Sequence, residues 1–228
     1  MIKIKNLSVS FSNNAVLVDI SVDLQPNQIY GIVGLNGSGK TTFFNALSKS
    51  IQVTNGYMEF NGNPISDKDI GYLESVNFFY SRITGNEYLK IFSQTNPSFN
   101  LNSLQNFFKL PLDDLIETYS TGMKKKLALL GLLKKNRSIF LLDEPFNGLD
   151  LESNKILELI ITALKEKEKT LFISSHIIDP LLKLCDVILI LENGKFAKIV
   201  DRQKFNEIED ELFKKFNDDT KIIISNSI

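Results

Sequence analysis

The sequence predicts an α/β fold with a mainly parallel core sheet, and three observations predict it. Short apolar runs, of the kind buried on both faces of a parallel sheet, recur as IYGIVG, SIFLLDEP and TLFISSH. Stretches with helical spacing separate them, as strand–helix alternation requires. The first run ends in GLNGSGKTT, Gly34 to Thr42, which holds three glycines within six residues and then a lysine.

The elements follow in order. Residues 2–24 alternate polar and apolar as IKIKNLSVSF and then VLVDISVDL, which predicts two strands of an antiparallel β subdomain near the N-terminus. Pro26-Asn27 turns the chain into IYGIVG, a strand ending at Val33, and a helix opens near Lys40 as KTTFFNALSKS. TNGYMEFNGNPI carries two Asn-Gly pairs around a short strand and reads as hairpin-like. IGYL is a further strand. Thr84 and Glu87 have the spacing of a capping box that opens a helix through Phe92. From there to about Lys135 the pattern is mostly helical, broken at Pro97 and Pro111, so residues 75–135 are expected to form a helical lobe inserted in the core.

Strand–helix alternation then resumes. SIFLLDEP is a buried strand with acids at its end, LESNKILELIITALKEKEK an amphipathic helix, and TLFISSH another buried strand. DVILILENGKFAKIV is a hairpin turning at Asn193-Gly194, and residues 201–218 read as a charged amphipathic helix within a short extension, 201–228. No repeat, low-complexity segment or long linker divides the chain, so one domain over 1–228 is expected.

Composition bounds the function. The 228 residues are 43% hydrophobic, enough for a substantial core, and the net charge of -1 gives no sign of a polyanion-binding protein. The single cysteine, Cys185, excludes an intramolecular disulfide and fits a reducing compartment. The start, MIKIKNLSVSF, lacks the apolar segment of a signal peptide. The longest clean apolar run, LALLGLL, falls far short of the roughly 18 residues a membrane helix needs.

Gly34-x-x-x-x-Gly39-Lys40-Thr41 fits the phosphate-loop pattern in full, between a predicted strand and a predicted helix. Glycines let successive N–H groups point inward and let a phosphate approach the backbone closely. The helix start adds about half a positive charge. Lys40 reaches toward the β- and γ-phosphates of a nucleotide, and the Thr41 hydroxyl is a Mg²⁺ ligand. Leu35, Asn36, Gly37, Ser38 and Thr42 complete the loop. Asp143 and Glu144 end an apolar strand on the edge where open α/β sheets bind ligands. Asp143 suits Mg²⁺, directly or through water, and Glu144 suits activation of the attacking water. The core is therefore that of a P-loop NTPase.

With these residues in place, the chain from about Ile2 to Val200 resembles the ATP-binding subunit of an ABC transporter, of exporter type. YSTGMKKKLAL, from Tyr119, resembles the family's signature, although Tyr119, Thr121 and Met123 depart from the common LSGGQ. Ser120 and Gly122 are kept, and with Thr121 they form the segment expected to grip the ATP of an opposite subunit. Lys124 to Lys126 read as a solvated helix face rather than a nucleic-acid contact. By the same resemblance His176 contacts the γ-phosphate, Asp150 of FNGLD crosses the dimer interface, and Phe11 stacks on adenine. The family places a glutamine or glutamate soon after the strand read as IGYL. Glu74 and Ser75 stand there, with Glu74 taken as the metal-side residue and Ser75 favoured by strict spacing.

The resemblance implies an ATPase that uses ATP and Mg²⁺ and works as a head-to-tail dimer with an identical or related subunit. It implies a separate membrane permease as partner, no nucleic acid, and a cytoplasmic position on the inner face of the membrane. Docking of the permease falls to the helical lobe. Phe78, Phe79 and Tyr80 are consecutive and cannot all face a core, so Phe79 or Tyr80 is expected to carry that contact. Two other readings stay open: a soluble ABC ATPase acting on a macromolecular complex, and a weakly hydrolysing regulatory subunit suggested by the altered signature.

Overall fold

The computed structural model describes residues 1–12 and 14–206. Its strands fall into two sheets. The first is antiparallel, in the order β2-β1-β4-β5, and joins β1 (Ile2–Phe11), β2 (Asn14–Leu24), β4 (Asn55–Phe60) and β5 (Asn63–Pro64). The second has the order β10-β9-β3-β8-β7-β6, built from β3 (Ile29–Val33), β6 (Ile70–Leu73), β7 (Ile139–Asp143), β8 (Thr170–Ser175), β9 (Val187–Glu192) and β10 (Lys195–Asp201). It is parallel from β9 through β6, and only β10 runs antiparallel, as the hairpin partner of β9.

Strands β3, β7 and β8 are buried at every residue, as their unbroken apolar runs predict for strands covered on both faces. Period two still sorts their side chains. Ile139 and Leu141 of β7, with Phe172 of β8, pack toward the antiparallel sheet and α1 (Lys40–Leu47). Phe140 and Leu142, with Leu171 and Ile173, pack toward α4 (Thr121–Leu133) and α5 (Leu151–Glu166). The six-stranded sheet is thus the middle layer between two apolar clusters. The stacked pair Tyr30 and Phe172, 5.1 Å between ring centroids, lies in the first of them.

The turns repay the Asn-Gly signals unevenly. Asn193 and Gly194 both have positive φ, 49° and 74°, and turn the β9–β10 hairpin. Asn61 and Gly62, at 50° and 80°, do the same between β4 and β5. The first pair turns nothing: Asn55 begins β4, and a Cβ on Gly56 would lie 2.4 Å from the Lys5 carbonyl oxygen of bulged β1. That glycine is there for close approach of two backbones.

The lobe contains α2 (Gly85–Ile91), α3 (Leu101–Phe108) and α4, with irregular chain through Pro97 and Pro111. The capping box forms: Thr84 Oγ1 accepts the Glu87 N–H, and the Glu87 carboxylate accepts the Thr84 N–H. LALLGLL is the second half of α4, apolar all round because it is buried all round. Among the described residues no helix is long and apolar enough to cross a membrane. A short helix α6 (Asp179–Leu184) follows β8. The helix read from residue 201 does not start there, because Asp201 ends β10 and Arg202–Lys204 form a 3₁₀ turn. The rest of that reading, 207–218, lies outside the described residues.

Candidate functional site

The glycine loop leaves the carboxyl end of β3 and curls into α1. A Cβ on Gly34 would stand 2.5 Å from both the Leu191 carbonyl oxygen and Ser38 Oγ, so only glycine fits. Gly39 holds φ +107° at the start of α1, where no side chain caps the helix and its first N–H groups stay available. Lys40 is 7% exposed, and its Nζ donates to the carbonyl oxygens of Gly34 (2.7 Å) and Leu35 (3.2 Å). Burial pulls the Lys40 pKa down, and the charges of Glu144 and Asp143 partly restore it. Ser38 Oγ is buried with no hydrogen-bond partner. A buried hydroxyl left unmet beside the uncapped start of α1 fits an anion that bonds both.

Asp143 is fully buried at the carboxyl end of β7. Its two oxygens accept from Thr41 Oγ1 (2.7 Å) and Ser174 Oγ (2.5 Å). The hydroxyl of the loop and the carboxylate of the strand therefore already touch, an all-oxygen pair of the sort Mg²⁺ prefers beside phosphate oxygens. Tyr72 lies close by, and burial first, then the Asp143 charge, drive its phenol pKa far up.

Glu144 follows in a left-handed backbone conformation, φ 46°. A non-glycine residue there carries about 1–3 kcal/mol of strain, and such residues gather at functional sites. Its carboxylate Oε2 lies 2.9 Å from His176 Nδ1 and 3.3 Å from Asn147 Nδ2. Strands β7 and β8 are neighbours, so the acid after one and the imidazole after the other meet at the same edge.

A cleft of about 420 Å³ opens over these groups, walled by Val16, Asn36, Gly37, Gly39, Lys40, Thr41, Thr42, Ser75 and Glu144. Its wall takes Ser75 and not Glu74. Strand β6 ends at Leu73 and the chain bends at Ser75, so of the two candidates it is Ser75 that reaches the cleft wall here. The Glu74 charge bears instead on the buried phenols of Tyr72 and Tyr88. Phe11, at the end of β1, is 51% exposed; it is neither core nor a cleft wall. Leu35 is exposed at the loop tip.

The remaining candidates lie elsewhere. Ser120, Thr121 and Gly122 are outside the cleft, at the start of α4, where Ser120 Oγ accepts the Met123 N–H. A Cβ on Gly122 would meet nothing closer than 3.7 Å. Asp150 caps α5 by accepting the Ser153 N–H at 2.7 Å, a bond that holds its carboxyl below the usual range. Phe79 packs against Tyr88, 4.9 Å between centroids, so the expectation that it is a surface contact is corrected. Phe78 and Tyr80 face out on either side of it, 72% and 58% exposed.

Two residues escaped sequence reasoning. Ser174 bridges the acids, donating to Asp143 and accepting the Glu144 N–H at 2.9 Å. Only strand order puts it opposite Asp143. Lys125 corrects the reading of Lys124 to Lys126 as a solvated face. It is 7% exposed, and its Nζ donates to the carbonyl oxygens of Glu144 (2.9 Å) and Asn147 (2.8 Å). The turn after β7 packs under α4 and swallows the middle lysine of the three.

Comparison with known proteins points the same way. The family model for ABC transporters matches residues 17–147. An uncharacterised ABC transporter ATP-binding protein of Methanocaldococcus jannaschii is 33% identical over 215 residues, 88% of this chain and 78% of its own length. The lantibiotic transport ATP-binding protein SrtF of Streptococcus pyogenes is 29% identical over 86% of this chain and 88% of its own. Among solved structures, the ATP-binding subunit of an ABC transporter matches with TM-score 0.84 at 23% identity, covering 95% of this chain and 99% of that one. A dimeric ATP-binding cassette in a post-hydrolysis state, bound to ADP and Pi, matches with TM-score 0.77 at 18% identity over 89% of this chain and 99% of that one.

Proposed function

This chain belongs to the ABC transporter family as an ATP-binding subunit, an ATPase, and from that premise we propose that it powers export through a separate membrane permease. In this reading it works on the inner face of the membrane, with Mg²⁺ and with a second ATP-binding subunit, and without nucleic acid. The observation that carries the reading is the divided site. Lys40, Thr41 and Glu144 line the cleft beside the glycine loop; Thr41 is bonded to the buried Asp143 behind that wall, and Glu144 lies 2.9 Å from His176. Ser120 and Gly122, which suit a γ-phosphate equally well, stand apart from it.

The loop amides and Lys40 bind the phosphates of ATP, and the Ser38 hydroxyl gains the partner it lacks. Thr41 and Asp143 would hold Mg²⁺, which when bound neutralises charge between the β- and γ-phosphates. Glu144 orients a water and takes its proton as the water oxygen attacks phosphorus and ADP leaves. His176 Nδ1 holds the Glu144 carboxylate in place. Phosphoryl transfer asks for little beyond this positioning and charge stabilisation.

A subunit facing head to tail supplies its own Ser120 hydroxyl and Gly122 N–H across the interface. Leu151, 89% exposed beside Asp150, suits burial in that contact. The permease contact falls to Val76, Phe78 and Tyr80, apolar and mostly exposed between the Ser75 wall and the cap of α2. The similarity to a lantibiotic transport subunit supports a role in transport, and the exporter-type wording of the signature is the ground for its direction.

The test is recovery of the tagged chain from membranes in mild detergent. A multi-span protein should co-purify and stimulate ATP turnover that Glu144→Gln abolishes. Ribosomes or DNA in its place would overturn the transport reading.

A further inference from the structure

Lys125 is a buried cation that the mechanism above does not use. It sits about one turn into α4, below the Ser120–Gly122 segment. Its two acceptors, the Glu144 and Asn147 carbonyl oxygens, are the ends of one tight turn, Glu144-Pro145-Phe146-Asn147, which the Asn147 N–H closes onto the Glu144 carbonyl. That turn carries Glu144 in its left-handed conformation. It also runs directly beneath the start of α4: Gly148 has φ +74°, and a Cβ there would lie 3.5 Å from Thr121 Cγ2. Buried in this way, the ammonium is desolvated, and the nearby Glu144 and Asp143 charges offset that only in part. A charged donor held by two main-chain carbonyls fixes both position and orientation, because losing either bond leaves a buried polar group unmet.

We propose that Lys125 is a positioning residue that couples the two ATP sites of the dimer. The proposal rests on the head-to-tail reading given above. There, the start of α4 touches the ATP held by the partner, while Glu144 serves the ATP held by its own loop. Lys125 bolts the first to the backbone of the second. When α4 shifts as Ser120 and Gly122 engage one nucleotide, the turn moves with it and sets Glu144 for the other. A misplacement of about 1 Å in such a group costs on the order of 10²-fold in rate.

The experiment uses the full chain and measures ATP turnover, Mg-ATP affinity and mixed dimers of differently tagged subunits. Lys125→Met should lower kcat by roughly 10- to 100-fold. It should leave the ATP dissociation constant of the free chain within about twofold, because no phosphate contact is removed. Lys125→Arg, which keeps a buried donor and its charge, should recover most of kcat. If the methionine variant does not fold, Lys125→Gln takes its place, with the same split between kcat and affinity expected.

Mixed dimers separate coupling from local support. A dimer of one wild-type and one Glu144→Gln subunit sets the activity left when one base is lost. A dimer of one wild-type and one Lys125→Met subunit should fall below that level, because the altered α4 also fails the partner's ATP. Equal activity in the two mixed dimers overturns the coupling. Unchanged kcat in Lys125→Met, alongside a dead Glu144→Gln, overturns the positioning role. Normal turnover in Glu144→Gln would instead overturn the assignment of the base on which the proposal rests.

Discussion

Ser174 stands opposite Asp143 in the parallel register of β7 and β8, and its one hydroxyl serves both acids of the site. It donates to the Asp143 carboxylate and accepts the N–H of Glu144 at 2.9 Å. The strained backbone of Glu144 is thus pinned from a neighbouring strand.

Ser174→Ala should therefore weaken the fold and the chemistry together. It strips one bond from a fully buried carboxylate and leaves the Glu144 N–H without its acceptor. Unmet buried groups cost about 1–3 kcal/mol, so the urea midpoint should fall accordingly. Turnover should fall more than Mg-ATP affinity, because Lys40 and the loop amides are untouched. Unchanged stability would show that the bridge carries nothing.

Lys40→Ala tests the cradle. The lysine's charge is held beside the loop by two carbonyl bonds, ready to turn to phosphate. A charge-assisted contact contributes about 1.5–3 kcal/mol, or roughly 10- to 150-fold in ATP affinity if fully expressed in binding. Titration with a labelled ATP analogue measures it. Affinity and turnover equal to wild type would remove the loop from the site.

Cys185 gives the chain an alkaline weakness. Its thiol is buried against Gly31, and burial pushes its pKa far above the ordinary 9.0. Above pH 9 the unfolded chain loses this proton and the folded chain keeps it, so the unfolded state binds fewer protons there. Stability from this group is then present in full below pH 9 and declines above it, by up to about 1.4 kcal/mol per pH unit. Cys185→Ala should flatten that part of the stability–pH curve. Parallel curves for the two proteins above pH 9 would contradict the burial argument.

The aromatic run before α2 splits by position. Phe79→Ser removes a ring packed on Tyr88 and should destabilise the chain by about 2–4 kcal/mol, near the range for large core truncations. Phe78→Ser and Tyr80→Ser should change stability by no more than about 0.5 kcal/mol and should reduce recovery of the permease. Full recovery with both outer rings removed would move the docking surface elsewhere.

What the sequence could say follows from how local each signal is. Gly34 to Thr41 and the Asp143-Glu144 pair are contiguous motifs at strand ends, so residue type and spacing were enough to place them at one edge of the sheet. The buried strands were legible because strands covered on both faces have no polar side to alternate. Ser174 was not legible, since its role depends on β8 lying next to β7, a fact of strand order. Lys125 was hidden because three adjacent lysines look alike until a turn from another part of the chain buries one. Phe79 was hidden because the chain around it is irregular and no period says which of three rings turns inward. Ser75 and Glu74 differ by the single step at which a strand ends.

The start of α4 offers the sharpest test of the two-subunit site. Glu144→Gln keeps the shape of the side chain and removes the base, whose loss costs roughly 10²–10⁴ in rate. ATP should then persist, and the purified mutant should run as a heavier species with Mg-ATP than without it. Gly122→Ala is the second change. A methyl there meets nothing closer than 3.7 Å in the free chain, and alanine favours the helix. Stability and single-chain ATP affinity should therefore hold to within about 0.5 kcal/mol. In the head-to-tail dimer proposed above, the same methyl would stand where a γ-phosphate must approach the bare N–H. The double mutant should bind ATP as the single mutant does and yet stay monomeric by light scattering. A double mutant that still dimerises with ATP would place the grip on the γ-phosphate somewhere other than Gly122.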